Sequence, residues 1–243
     1  MSGSSRRALF GPVAVAVILV LAGCTKSADR SPDNLSDRLL GITDMPGEWQ
    51  ETQRDVFTQR GIENPSIDPS TWCPDAKDEA TKLDALAGDA GADVEMHMQV
   101  DGSEVPRLMR LQAWRNDSVR KYFEEIVTIA NICDGATWTE DPGVTQEIWK
   151  IDGPEVGDES VSWGTRLAPP AGKEQATSSG RTTVARLGEI IMVLQIGDFT
   201  TTSKVGELSD SDWREIVQRA ADKLADGLEQ PSADGQFVRR PLN

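Results

Sequence analysis

The chain has 243 residues, of which 38% are hydrophobic and 27% are charged. These values fit one or two globular domains and exclude collagen and a wholly disordered chain. The 25 basic and 40 acidic residues give a net charge of -15, which disfavours nucleic acid and anionic lipid surfaces as direct partners.

Residues 1–23 predict a secretory signal peptide. Arg6 and Arg7 supply the positive start, and an uncharged apolar run follows from Ala8 to Leu21. A membrane-spanning helix needs about 20 apolar residues. Because this run is shorter, a permanent transmembrane anchor is the weaker interpretation.

The end of this segment, Leu21-Ala22-Gly23-Cys24, resembles a bacterial lipobox. The resemblance implies that Cys24 becomes the lipidated N-terminus of the mature protein, on the outer face of the cytoplasmic membrane. The lipid would then be the only membrane contact. An ordinary signal peptide that ends near Ala22 or Gly23 is the alternative. Residues 24–34 are polar and predict a flexible tether.

Lipidation would leave Cys73 and Cys133 as one pair in a compartment that permits disulfides. A Cys73–Cys133 bridge is the natural inference, and two buried free thiols are the alternative. With His97 as the only histidine and the cysteines far apart, no spacing indicates zinc. We expect no metal and no cofactor.

Hydrophobic periodicity predicts helices and strands along the rest of the chain. In chain order these are a short helix through Leu40, an edge strand over 49–57, a helix over 73–87, strands over 94–100 and 107–115, a helix over 118–133, strands over 144–151, 160–168, 181–187 and 190–196, and a helix over 209–227. Asn116 or Asp117 is expected to cap the helix over 118–133, and Ser209 the last one. The strand over 190–196 is fully apolar, which indicates a central position.

Hairpins outnumber helical crossovers in this order, and Gly188-Glu189 suits a tight hairpin turn. The sequence therefore predicts an α+β fold: a single domain over 35–229 with a mainly antiparallel β-sheet flanked by helices. Residues 230–243 are expected to form a loose tail.

Tryptophan accounts for 7 of the 13 aromatic residues, and its flat apolar ring suits both cores and binding clefts. Trp149 and Trp163 lie in predicted strands with few other large apolar residues, so we place a candidate ligand cleft there. Arg110 and Arg186 are candidates to bind an anionic head group. Core packing of the tryptophans and solvent-facing positions for the arginines are the alternatives.

Nothing in the sequence indicates a catalytic residue. No Gly-x-Ser-x-Gly motif accompanies a serine, and His97 is expected to face away from the apolar side of its strand. Asp158 and Glu159 are adjacent on a predicted turn, so their carboxylates should diverge rather than face each other.

Several short motifs occur in a recognisable order. They are Asp44-Met45-Pro46-Gly47, Trp72-Cys73-Pro74, the helix ending at Cys133, Gly157-Asp158-Glu159-Ser160, and the hairpin over 184–196 before a C-terminal helix. This order resembles the PknH-like extracellular sensor domains, which include many actinobacterial lipoproteins.

The resemblance implies a helix-flanked antiparallel sheet that lines a cleft for an unidentified cell-envelope ligand. Two disulfides are usual in that family, and Cys73 and Cys133 match one of them. We therefore expect a membrane-anchored, extracytoplasmic, sensor-like binding module that is not an enzyme. An adaptor for another envelope protein, a hydrolase, and membership of the PsbP-like class of exported lipoproteins are the alternatives.

Overall fold

The computed structural model describes residues 33–57, 73–86, 91–99, 107–115, 117–140, 143–168, 177–200 and 208–226. The predicted signal peptide, Cys24, most of the predicted tether and the predicted tail lie outside the described residues.

Four α-helices and eight strands make up the described part of the chain. The helices are α1 (Asp33–Ser36), α2 (Lys77–Ala85), α3 (Val119–Ile132) and α4 (Asp210–Ala225). The strands are β1 (Gln50–Phe57), β2 (Gly91–Met98), β3 (Arg107–Arg115), β4 (Ala136–Glu140), β5 (Val144–Lys150), β6 (Glu159–Ala168), β7 (Thr177–Leu187) and β8 (Ile190–Thr200).

The eight strands form one sheet in the order β1-β2-β3-β8-β7-β6-β5-β4. Every pair of neighbouring strands in it is antiparallel, which confirms the predicted α+β fold. The apolar strand β8 is central, as expected, and β1 is an edge strand. The other edge, β4, is absent from the predicted strands, because it is only 5 residues long and Trp138 is its one large apolar side chain.

The sheet has an apolar layer on each face. On one face, α1 and α4 pack over residues such as Met109, Met192 and Ile196; we call this the α4 face. On the other, α2 and α3 pack over residues such as Trp114 and Val193; we call this the α3 face. Because each strand alternates its side chains between faces, the strand register decides which layer a residue belongs to.

The helix starts agree only in part with the sequence expectations. Ser209 caps α4 as expected, since its Oγ accepts a hydrogen bond of 3.0 Å from the backbone N–H of Asp212. The N-cap of α3 is Ser118 rather than Asn116 or Asp117, and no side-chain hydrogen bond caps this helix. Residue type alone could not locate that boundary, because three consecutive residues there are suitable caps.

The β7–β8 hairpin turns at Gly188-Glu189, as predicted. Gly188 has a φ of 60°, in the left-handed region that a residue without a Cβ adopts at little cost. The backbone N–H of Gly188 also donates a hydrogen bond to the carboxylate of Asp158.

The predicted Cys73–Cys133 disulfide is present, with a Cα–Cα distance of 5.5 Å. Cys73 begins the short 3-10 turn Pro74–Ala76 that leads into α2, and Cys133 follows the last residue of α3. The bridge therefore ties together the two helices that cover the α3 face.

Candidate functional site: a groove beside Trp149

A groove of about 570 Å³ opens on the α4 face, where β5 to β8 extend beside the start of α4. Its apolar lining includes Trp149, Ile151, Ile196 and Leu208. The volume lies within the range of roughly 300 to 1,000 Å³ that is typical of small-molecule sites. We call it the Trp149 groove.

The indole of Trp149 lies directly against the backbone of β6. Trp149 pairs with Gly164 across the strands, and a Cβ built on Gly164 would be only 2.5 Å from Cε2 and Cζ2 of the indole. Glycine therefore permits this close approach, and any larger residue would displace the ring. Trp149 keeps 38% of its surface exposed and lines the groove, so part of its side chain is accessible to a ligand.

A cluster of charged side chains forms one side of the groove. Asp210, the first residue of α4, bonds to Arg214 at 2.8 Å and to Arg181 of β7 at 3.1 Å. Arg214 also donates to the backbone carbonyl of Asp152. The guanidinium carbons of Arg181 and Arg214 lie 5.1 and 5.8 Å from the ring centroid of Trp213, which is a cation–π arrangement.

These contacts fix the charge state of Asp210. Its hydrogen bond from Arg214, together with the charges of Arg214 and Arg181, lowers the pKa of Asp210. The same hydrogen bond raises the pKa of Arg214. Asp210 is therefore held as a carboxylate and acts as a counter-ion to the two arginines, which is the opposite of what a general acid requires.

A second charged pair lies on the other side of Trp149. Arg166 of β6 faces Glu147 of β5 across the strands, with 3.8 Å between the nitrogen and the oxygen. This distance is longer than a hydrogen bond, and 53% of the Arg166 side chain is exposed. Arg166 is therefore more accessible to a ligand than Arg181 or Arg214.

The structure separates the two tryptophans that the sequence places in one cleft. Trp163 is adjacent to Gly164 on β6 and therefore points to the opposite face from Trp149. It is only 3% exposed and packs in the α3 layer with Trp114 and Val193. The expected cleft is thus corrected: Trp149 lines it, and Trp163 belongs to the core behind it.

The two candidate arginines also lie outside the groove. Arg110 of β3 bonds to Asp93 at 2.6 Å. Arg186 of β7 bonds to Asp158 at 2.9 Å and to Glu159 at 2.7 Å. By strand alternation both arginines are on the α3 face, and their carboxylate partners lie on neighbouring parts of the sheet. Arg186 thus joins the start of β6 to the end of β7.

Sequence reasoning missed Arg166, Arg181 and Arg214, which line the groove with Trp149. One signal was available: an isolated glycine inside a strand pattern, such as Gly164, often marks a close approach by another group. The arginines themselves carry no local signal, because they meet only through strand pairing and the packing of α4.

A smaller groove of about 220 Å³ lies on the opposite face of the same strands, with Trp138, Leu167 and Gln195 in its lining. Across the described residues, no group of three or more His, Cys, Asp or Glu is placed to hold a metal ion. In the same part of the chain, no helix combines the length and apolar character needed to cross a membrane.

Comparison with known proteins gives structural neighbours only. No family model matches the chain, and no curated protein matches its sequence. The structure is similar to that of the extracellular domain of PknH from Mycobacterium tuberculosis, with 10% identity and a TM-score of 0.49, over 80% of this chain and 96% of that one. It is also similar to an uncharacterised protein from Mycobacterium smegmatis, an ortholog of Rv0999, with 11% identity and a TM-score of 0.43, over 73% and 88% of the two chains. The first of these neighbours bears the name of the family that the sequence motifs resemble.

Proposed function

We propose that the protein is a non-enzymatic, sensor-like binding module, and that the Trp149 groove holds its small-molecule ligand. The observation that carries this proposal is the partly exposed indole of Trp149, packed closely against Gly164 within a groove of about 570 Å³. A pocket with an apolar surface and a few converging polar groups is the usual form of a ligand site.

A binding groove accounts for the described surface better than a flat docking patch does. A protein adaptor would be expected to show a contiguous exposed apolar area. The exposed large apolar side chains instead lie on separate elements: Ile42, Val56, Ile132, Trp149 and Leu167.

The groove is tested by native mass spectrometry of the full-length protein released gently from membranes. We expect a small-molecule adduct on the wild-type protein that is lost in both Trp149→Ala and Gly164→Ala. The first change removes the aromatic surface, and the second displaces it by introducing a Cβ.

Trp138→Ala is the matched control, because Trp138 lines the smaller groove on the opposite face. The control should keep the adduct. An adduct that survives both groove variants, or one that only Trp138→Ala removes, would show that the Trp149 groove is not the ligand site.

We further propose that the module is an extracytoplasmic lipoprotein, anchored to the outer face of the cytoplasmic membrane by lipid on Cys24. The sequence Leu21-Ala22-Gly23-Cys24 supports this, since small residues before a cysteine suit lipoprotein processing. The net charge of -15 also makes direct contact with anionic headgroups unfavourable, so the lipid would provide the attachment.

Cys24→Ser is expected to leave the precursor unprocessed by the lipoprotein pathway and to remove the lipid from the product. Detergent-phase partitioning and intact mass measure both effects, with Thr25→Ser as a neighbouring control. Unchanged processing and unchanged detergent partitioning of Cys24→Ser would refute lipidation at this cysteine.

A further inference from the structure

We propose that the ligand of the Trp149 groove is an uncharged saccharide, one ring of which stacks on the Trp149 indole. This inference rests on the proposed function of the groove as a ligand site. It adds the chemical class of the ligand, which the aromatic surface and the composition of the surrounding charges together indicate.

The aromatic surface suits a sugar ring. The indole lies close to the backbone at Gly164, and 38% of the residue remains exposed. The face of an aromatic ring carries partial negative charge. The C–H groups on one side of a sugar ring carry partial positive charge and form a flat apolar surface, so the two stack favourably.

The charged groups around the ring balance each other. Three guanidinium groups and three carboxylates line the groove: Arg166, Arg181, Arg214, Glu147, Asp152 and Asp210. Guanidinium groups only donate hydrogen bonds and carboxylates only accept them, whereas a hydroxyl does both. A ligand rich in hydroxyls can therefore bond to both kinds of group.

A charged ligand fits this lining less well. An anion would bring its charge close to three carboxylates, and a cation would meet three guanidinium groups. The whole chain, at -15, also repels anions. Asp210 already bonds to both Arg181 and Arg214, so an anion would have to compete with it for these two arginines.

Strand register places the polar groups within reach of a stacked ring. Arg166 and Glu147 pair with each other two residues along from the Trp149–Gly164 pair, a distance of about 7 Å along the strands. Arg181 pairs with Gly164 on the next strand, about 5 Å away between the strands. The hydroxyls of a stacked ring and of an adjoining ring cover this range.

The test is a titration of the full-length ¹⁵N-labelled protein in a detergent without a sugar head group. The probes are three uncharged tetrasaccharides (maltotetraose, cellotetraose and mannotetraose), with tetragalacturonic acid and tetra-alanine as charged-sugar and peptide comparators. We expect at least one neutral tetrasaccharide to shift the indole N–H signal of Trp149 and the amide signal of Gly164 in a saturable manner. Tetragalacturonic acid should bind at least about tenfold more weakly.

Variants then locate the contacts. Trp149→Ala should abolish the saturable shift at Gly164, and Arg166→Gln should weaken binding about tenfold, as expected for loss of a hydrogen bond from a charged group. Trp138→Ala on the opposite face and Arg120→Gln on the exposed side of α3 should leave the affinity unchanged.

The outcomes separate this proposal from the proposed function. If tetragalacturonic acid or tetra-alanine shifts these signals and no neutral sugar does, the groove is a ligand site and the saccharide class is wrong. If no probe shifts them while the Trp149-dependent adduct is present, the saccharide class is equally refuted. If no probe shifts these signals and the adduct is also absent, both the saccharide class and the proposed function of the groove are refuted.

Discussion

Replacing Trp163 by alanine is expected to lower the free energy of unfolding by about 3 to 5 kcal/mol, the usual cost of removing a large buried aromatic side chain. The same change at Trp149 should cost only about 1 kcal/mol, because an exposed side chain removed from the surface leaves no closed cavity. The difference arises because the two residues face opposite sides of one sheet, with Trp163 3% exposed and Trp149 38% exposed.

Chemical denaturation followed by circular dichroism measures both variants. The slope of the unfolding free energy against denaturant should stay unchanged, so that the midpoint alone reports the loss. Core-sized losses in both variants would mean that Trp149 also closes the core, and the groove would then be a packing defect rather than a site.

Removing the disulfide should have an effect of similar size. The bridge joins residues 60 positions apart, and the chain-entropy estimate for a loop of that length is roughly 4 kcal/mol. We therefore expect the double variant Cys73→Ala/Cys133→Ala to lose about this much unfolding free energy, without loss of the ligand binding that is proposed for the Trp149 groove on the opposite face.

The wild-type protein provides the matched control. A reductant should destabilise the wild type by about as much as the double substitution does, and it should not affect the double variant. Alkylation without reductant should label neither Cys73 nor Cys133. Two labelled thiols in the unreduced protein would contradict the bridge.

Much of the fold follows from local patterns in the sequence. Apolar and polar residues alternate strictly from Val94 to Val100, and Ile190 to Ile196 form an apolar run. Both patterns reflect which side chains a strand buries, so β2 and β8 could be predicted. The edge strand β4 could not be. Its Trp138 is flanked by threonines, and its place in the sheet depends on pairing with β5.

Less of the candidate site than of the fold could be predicted from the sequence. Trp149 could be selected from its residue type, but the face to which it points depends on a register that no local pattern records. A shift of one residue exchanges the faces of a strand, so the sequence alone cannot show that Trp149 and Trp163 point to opposite faces of the sheet. Arg181 and Arg214 meet Asp210 only after β7 and α4 have packed, so no spacing along the chain indicates that cluster.

The strand order also constrains how the chain folds. β1 to β3 form one set of sequential antiparallel neighbours and β4 to β8 form another, and the two sets meet where β3 pairs with β8. Between these two strands Arg115 pairs with Ile190 and Leu108 pairs with Gly197. Each of these contacts closes a long loop of the chain, and closing that loop costs conformational entropy. Since β8 is the last of the described strands in chain order, β3 lacks its inner neighbour until β8 has been synthesised. A C-terminal truncation before β8 would therefore expose the backbone edge of β3.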